Sequence, residues 1–294
     1  MLEPEQQILE VGLALRRGGI TGWAALRWYG GTWFHGRASG GLTSRDVPVA
    51  SALHLRAPAN SVVTEERIAP GDFTVHDGLV CTTPVRSVFN EMRASGDPLR
   101  AAMSAEMAFF NDLVSLEELK QYVATHPRFH GVGLARDWLG WLDENAWSPQ
   151  EVRARQLWTH VAGLPRPLCN QPVFDRRGNL LGIPDLIDEE AGLIGEYAGA
   201  HHIFQRGQDE DREMRFRMVG LEVVTMAAGD SHSPTSTATR LRAARKRARF
   251  EAPGRRAWTL EKPHWWVPRE TVEERRELWG TRYQYLLDHR RLIR

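Results

Sequence analysis

A change of hydrophobic period near residue 149 constrains this chain more than any other feature. Before it, Leu134, Trp138, Trp141 and Leu142 recur at the spacing of one helix face. Ser148-Pro149-Gln150-Glu151 then starts another helix with a cap, a proline and a Glu three residues on. After that helix come three apolar runs too short to be helices: CNQPVF, LLGIPDLID and LIGEYAG. Gly178-Asn179 and residues 189–192 supply the turns between them. Residues 206–219 read as a helix, GLEVVTM as a buried strand and residues 235–250 as a last helix. The order α-β-β-β-α-β-α predicts an α/β core.

Residues ahead of this core mix both periods. Residues 3–17 have helical spacing and end at Gly18-Gly19, and Thr21 is placed to cap a second short helix. VPVASALHL, SVVTEERIA and FTVHDGLVCT read as short strands. From Thr83-Pro84 the pattern is helical, with a capping box at Ser115 and Glu118. A mixed α+β N-terminal domain is expected over residues 1–147, a second domain over 148–250 and a helical extension over 251–294.

Three acids stand out in the second domain. Asp185 begins the second strand run, and Glu196 ends the third run eleven residues later. A hairpin turning at 189–192 brings the two together on adjacent strands, and Glu151 lies in the first turn of the preceding helix. Converging carboxylates repel unless a cation joins them. Mg²⁺ takes one or two such oxygens with waters and phosphate, and can polarise a scissile phosphate there. Alternatives for each are ordinary: Glu151 as the fourth residue of a capping box, Asp185 as a turn residue.

The segments SPQEVRARQLW, LCNQPVFDRRGNLLGIPDLIDEEAGLIGEYAGAHH and DEDREMRFRMVGLEVVTM resemble the PD-(D/E)XK nuclease superfamily. The closer likeness is to very-short-patch-repair-like endonuclease domains, over roughly residues 148–250. The resemblance implies a restriction-endonuclease-like core, with Glu151, Asp185 and Glu196 as ligands of Mg²⁺ (or Mn²⁺) and His202 beside the scissile phosphate. It also singles out Asp211, Arg215 and Gly220, with Arg215 turned toward phosphate. One position departs: the superfamily carries Lys two residues after the last acid, and this chain has Ala198. His201 or His202 is placed to replace it as general acid/base. Residues 20–147 resemble the region preceding such domains in actinobacterial proteins similar to AbiEi-type antitoxins, through ITGWAALRWYGG, GLVCTTPVRSVFNEM and VSLEELKQYV.

The helix TSTATRLRAARKRARF carries Arg240, Arg242, Arg245, Lys246, Arg247 and Arg249 with no acid among them, and a DNA backbone is one partner that offsets such charge. The alternative is a solvated helix facing the acidic stretch DEDRE of its own chain. With a formal net charge of +1, any nucleic-acid footprint must be local. Only Lys120, Lys246 and Lys262 are lysines among 38 basic residues, a bias that GC-rich coding also produces. His264, Trp265 and Trp266 are placed either to stack on bases or to pack.

Cys81 and Cys169 form no zinc pattern, which suits a reduced, cytoplasmic setting, and no apolar run approaches the roughly 20 residues that span a bilayer. The function expected is metal-dependent DNA cleavage, in defence against phage or foreign DNA. A homodimer is compatible with it. A non-enzymatic DNA-binding antitoxin or regulator, favoured by Ala198, and a protein-interaction scaffold are the alternatives.

Overall fold

The computed structural model describes residues 3–37, 43–198, 206–227, 229–230 and 233–292. The chain divides into two compact units. Met1–Glu144 with Thr271–Arg276 forms the first, and Asn145–Glu270 with Glu277–Arg294 the second. This division falls three residues before the boundary read from the sequence. It also sends part of the expected C-terminal extension back to the first unit.

The first unit runs α1 (Pro4–Ala14), β1 (Gly19–Ile20), α2 (Gly22–Trp28), β2 (Val47–Ser51), β3 (Ser61–Glu65), β4 (Phe73–His76) and β5 (Leu79–Thr82). Four helices follow: α3 (Pro84–Ala94), α4 (Pro98–Phe110), α5 (Leu116–Thr125) and α6 (Val132–Leu139). Its sheet has the order β3-β2-β1-β5-β4. FTVHDGLVCT is a hairpin rather than one strand, because Asp77 and Gly78 both take positive φ (43° and 81°), the turn that matches strand twist. The capping box at Ser115 forms with both hydrogen bonds. Thr21 does precede α2, but its hydroxyl accepts a bond from the Thr82 hydroxyl at 2.8 Å instead of capping. Ile8, Ile20, Trp23, Val49, Phe89 and Met92 are buried between sheet and helices.

The second unit runs α7 (Pro149–Gln156), a π-helical turn (Leu157–Val161), β6 (Leu168–Cys169), β7 (Val173–Asp175), β8 (Leu180–Gly182), β9 (Leu186–Asp188) and β10 (Leu193–Ala198). It continues with α8 (Arg206–Met218), β11 (Glu222–Ala227), α9 (Pro234–Arg247), β12 (Trp258–Thr259) and α10 (Thr281–Leu292). The protein is therefore mixed α/β. Two of the expected strands are each split in two. CNQPVF breaks at Asn170, whose φ is +46°, and Pro172 follows. LLGIPDLID breaks at Pro184, which has no N–H for a ladder. The halves go to different sheets: β11-β10-β9-β6 in one, β12-β7-β8 in the other.

β10 lies between β11, to which it is parallel, and β9, to which it is antiparallel. Side chains alternate along these strands, so each face has its own apolar cluster. Leu186 and Leu193 pack with Trp158, Met226 and Leu241 on one face. Ile187 and Ile194 pack with Phe216, Leu221 and Trp258 on the other. Among the described residues, no helix is long and apolar enough to cross a membrane.

Candidate active site

The β9–β10 register decides where the acids go. Leu193 faces Asp188, Ile194 faces Ile187 and Gly195 faces Leu186. Asp185 lies one residue before β9 and Glu196 one residue past the last paired residue of β10, so the two acids border the same end of this ladder. Glu196, two residues on from Ile194 in β10, lies on the face that packs against α8. The ladder itself ends here through a side chain: Asp185 Oδ2 accepts the Tyr197 N–H at 2.6 Å.

Glu151 arrives from the first turn of α7. Ser148 Oγ accepts the Glu151 N–H at 3.2 Å, which is half of the expected capping box. The Glu151 carboxylate does not return the bond to Ser148. Its Oε2 accepts from the Trp147 N–H at 2.8 Å and from Asn170 Nδ2 at 2.7 Å. The carboxyl is 4% exposed. Burial, and then the negative charge of Asp185, raise its pKa to about 8 against the pull of those hydrogen bonds. Glu151 and Asp185 are thus electrostatic neighbours.

Asn170 links the two acids physically. Its left-handed backbone, which Asn tolerates better than most residues, follows β6 directly. Its N–H donates to Asp185 O at 3.1 Å, while Nδ2 reaches Glu151. A reciprocal pair holds it there: Asn170 Nδ2 donates to Asn145 O at 2.6 Å, and Asn145 Nδ2 to Asn170 O at 3.0 Å. In the sequence Asn170 falls inside the apparent strand run CNQPVF, which gives no sign of these partners.

Glu196 is placed from the other side. Arg212 of α8 reaches its Oε2 at 3.3 Å, and both side chains are largely covered. Gly182 makes this approach possible. A Cβ there would sit 2.7 Å from Phe216 Cζ and 3.0 Å from Arg212 Cγ. Gly182→Ala is therefore expected to cost about 1–3 kcal/mol in urea unfolding by overpacking. An unchanged midpoint would show that α8 stands off from β8. Arg212 was not singled out from the sequence; Arg215 was, and its Nε donates to Leu181 O at 2.9 Å.

His201 and His202 lie outside the described residues. Among the described residues, no three His, Cys, Asp or Glu side chains converge as a ready metal cage. What the structure brings together is narrower: Asp185 and Glu196 at one end of the β9–β10 ladder, and Glu151 in contact with Asn170.

The basic helix α9 is largely matched within its own unit. Arg240 pairs with Asp230, Arg245 with Asp188 and Glu190, Arg247 with Glu222 and Arg249 with Glu251. Arg242 donates to Val161 O and Ala162 O, and Lys246 is exposed. These partners are scattered through the sequence rather than gathered in the DEDRE stretch. Of the tail tryptophans, Trp266 packs: it is 8% exposed, sits 5.4 Å from the Phe174 ring centroid and donates to Glu270, whereas Trp265 touches Phe174 and stays about half exposed.

No family model, curated protein or solved structure matches the chain.

Proposed function

We propose that the protein is a divalent-metal-dependent nuclease that hydrolyses DNA phosphodiester bonds. The observation that carries this is that Asp185 and Glu196 border the same end of the β9–β10 ladder, with Glu151 close enough to feel the charge of Asp185. The donor set suits Mg²⁺ or Mn²⁺: hard carboxylate oxygens, two of them, leaving room for water and phosphate. Asp185 and Glu196 would hold the ion. When bound, it would supply Lewis-acid polarisation of the phosphate and an acidified water.

The other residues serve that pair. Tyr197 N–H fixes one oxygen of Asp185, and Arg212 fixes Glu196. Arg212 also brings a positive charge to the acids in a chain whose residue 198 is alanine. Glu151, with its raised pKa, holds a proton near neutral pH and can release it there. His202 retains its proposed part in proton transfer, on the strength of the resemblance alone. In α9, Lys246 and the outer faces of the paired arginines would meet the DNA backbone, with a shallower salt dependence than six unpaired cations would give. Action against phage or foreign DNA is the setting the resemblance suggests, with the first unit as a recognition module.

The test is cleavage of supercoiled plasmid with Mg²⁺ or Mn²⁺ by wild type and by Asp185→Ala with Glu196→Ala. Wild type is expected to nick or linearise the plasmid, and the double variant to lose at least about a hundredfold in rate. Equal cleavage by both removes the proposal. A second reading is a DNA-binding regulator without nuclease activity. Ala198 and the ion pair that already occupies Glu196 favour it, and salt-sensitive DNA binding without cleavage under any divalent metal would select it.

A further inference from the structure

Asn170 is the most tightly built residue at this site, and one of its atoms has nothing to bond. The side chain is 2% exposed. Both its Nδ2 protons are spent, on Glu151 Oε2 and Asn145 O. Its backbone is anchored by the N–H to Asp185 O and by the carbonyl from Asn145 Nδ2. Yet among the described residues no donor reaches Asn170 Oδ1, which is fully buried. A buried carbonyl oxygen left without a partner is costly. It persists here because everything around it is fixed. The Asn145 carbonyl fixes the amide orientation too, since a flip would aim the oxygen at an acceptor.

We infer that Asn170 Oδ1 is the third, uncharged oxygen of the divalent-cation site, and that Glu151 is the residue that aims it rather than a ligand of the ion. This rests on the metal-site reading above and changes its ligand set. Asp185 and Glu196 supply two negative charges. A third carboxylate ligand would add repulsion, whereas a carboxamide oxygen binds hard cations without adding charge. Glu151 is poorly placed to be that ligand, because its Oε2 already accepts two hydrogen bonds. Asn170 meets the opposite description: its donors are satisfied and its acceptor is waiting.

Mn²⁺ binding to the full chain, followed by electron paramagnetic resonance in the absence of DNA, tests this without an activity assay. Asn170→Gly is the first variant, since glycine accepts the left-handed backbone and only the carboxamide is lost. It is expected to weaken Mn²⁺ binding about 10–100-fold, the usual effect of losing an oxygen or its support at such a site. Glu151→Gln keeps an acceptor for Asn170 Nδ2 and is expected to bind Mn²⁺ within about threefold of wild type. Should Asn170→Gly fail to fold, wild type labelled with ¹⁵N-asparagine decides the matter, since the electron spin echo of bound Mn²⁺ is expected to show coupling to an amide nitrogen. Folded Asn170→Gly that binds like wild type, Glu151→Gln that loses binding, or bound Mn²⁺ without that coupling would each overturn the inference. Wild type that binds Mn²⁺ but cuts no DNA would sink the nuclease reading and leave Asn170 in place. Wild type that binds no divalent ion would end both.

Discussion

Glu151→Gln is expected to be clearly more stable than wild type at pH 9 and nearly equal to it at pH 4, in metal-free buffer. The carboxyl titrates near its ordinary value of 4.5 in the unfolded chain and at about 8 in the folded one. Below 4.5 both states hold the proton, and this group adds no pH dependence. Between 4.5 and 8 the unfolded chain releases the proton while the folded chain keeps it. Rising pH therefore favours unfolding, and stability contributed by the protonated group is lost across that window. Above 8 both states are ionised and the full cost remains. Glutamine presents the same carbonyl to Trp147 and Asn170, offers an N–H₂ where the charge stood, and does not titrate. The gap between the two proteins should thus open to a few kcal/mol by pH 9. Urea unfolding from pH 4 to pH 9 with a chelator present measures it. Parallel stability curves would mean that Glu151 is ionised as easily in the fold as out of it.

Arg275→Ala should be the most damaging single substitution in the first unit. The guanidinium is 3% exposed and lies in the short helix Val272–Arg276. It donates to Asp112 Oδ1 at 2.6 Å, to Phe109 O at 2.8 Å and to Glu144 O at 3.2 Å. Truncation strands a largely covered carboxylate and two carbonyls at once. Removing one partner of a buried, hydrogen-bonded pair costs about 3–5 kcal/mol. Arg275→Lys restores the charge without the planar fork and should recover only part of that. Hydrogen exchange of amides in α4 and the turn after it reads the effect locally. Unaltered protection there would show that α4 does not depend on this residue.

How much of the site was legible depended on whether a residue's partner lay nearby in sequence. Asp185 and Glu196 could be paired because both border one hairpin, with a turn of recognisable chemistry between them. Ser115 and Glu118 were visible for the same reason: a capping box is complete within four residues. Asn170 was not, because its meaning comes from Asn145, Glu151 and Asp185, which lie in three different segments. Arg212 was missed in favour of Arg215 because helical spacing gives a face without saying which carboxylate waits opposite. The α9 arginines read as an uncompensated run because Asp188, Glu190, Glu222, Asp230 and Glu251 are dispersed along the chain and gather only on folding. The strand runs through Asn170 and Pro184 read as continuous because composition favoured strands on both sides. A left-handed residue and a missing N–H cut them. Glu151 had two readings, cap and site acid, and the structure gives it part of each.

The return of residues 271–276 to the first unit has a consequence for synthesis. A ribosome delivers residues 1–144 long before it delivers Arg275, so the N-terminal body must wait, with Asp112 and the end of α4 unclamped, while the entire segment from 145 to 270 emerges. A nascent chain stalled before residue 271 should expose the α4–α5 corner to protease, and elongation by a few more codons should hide it.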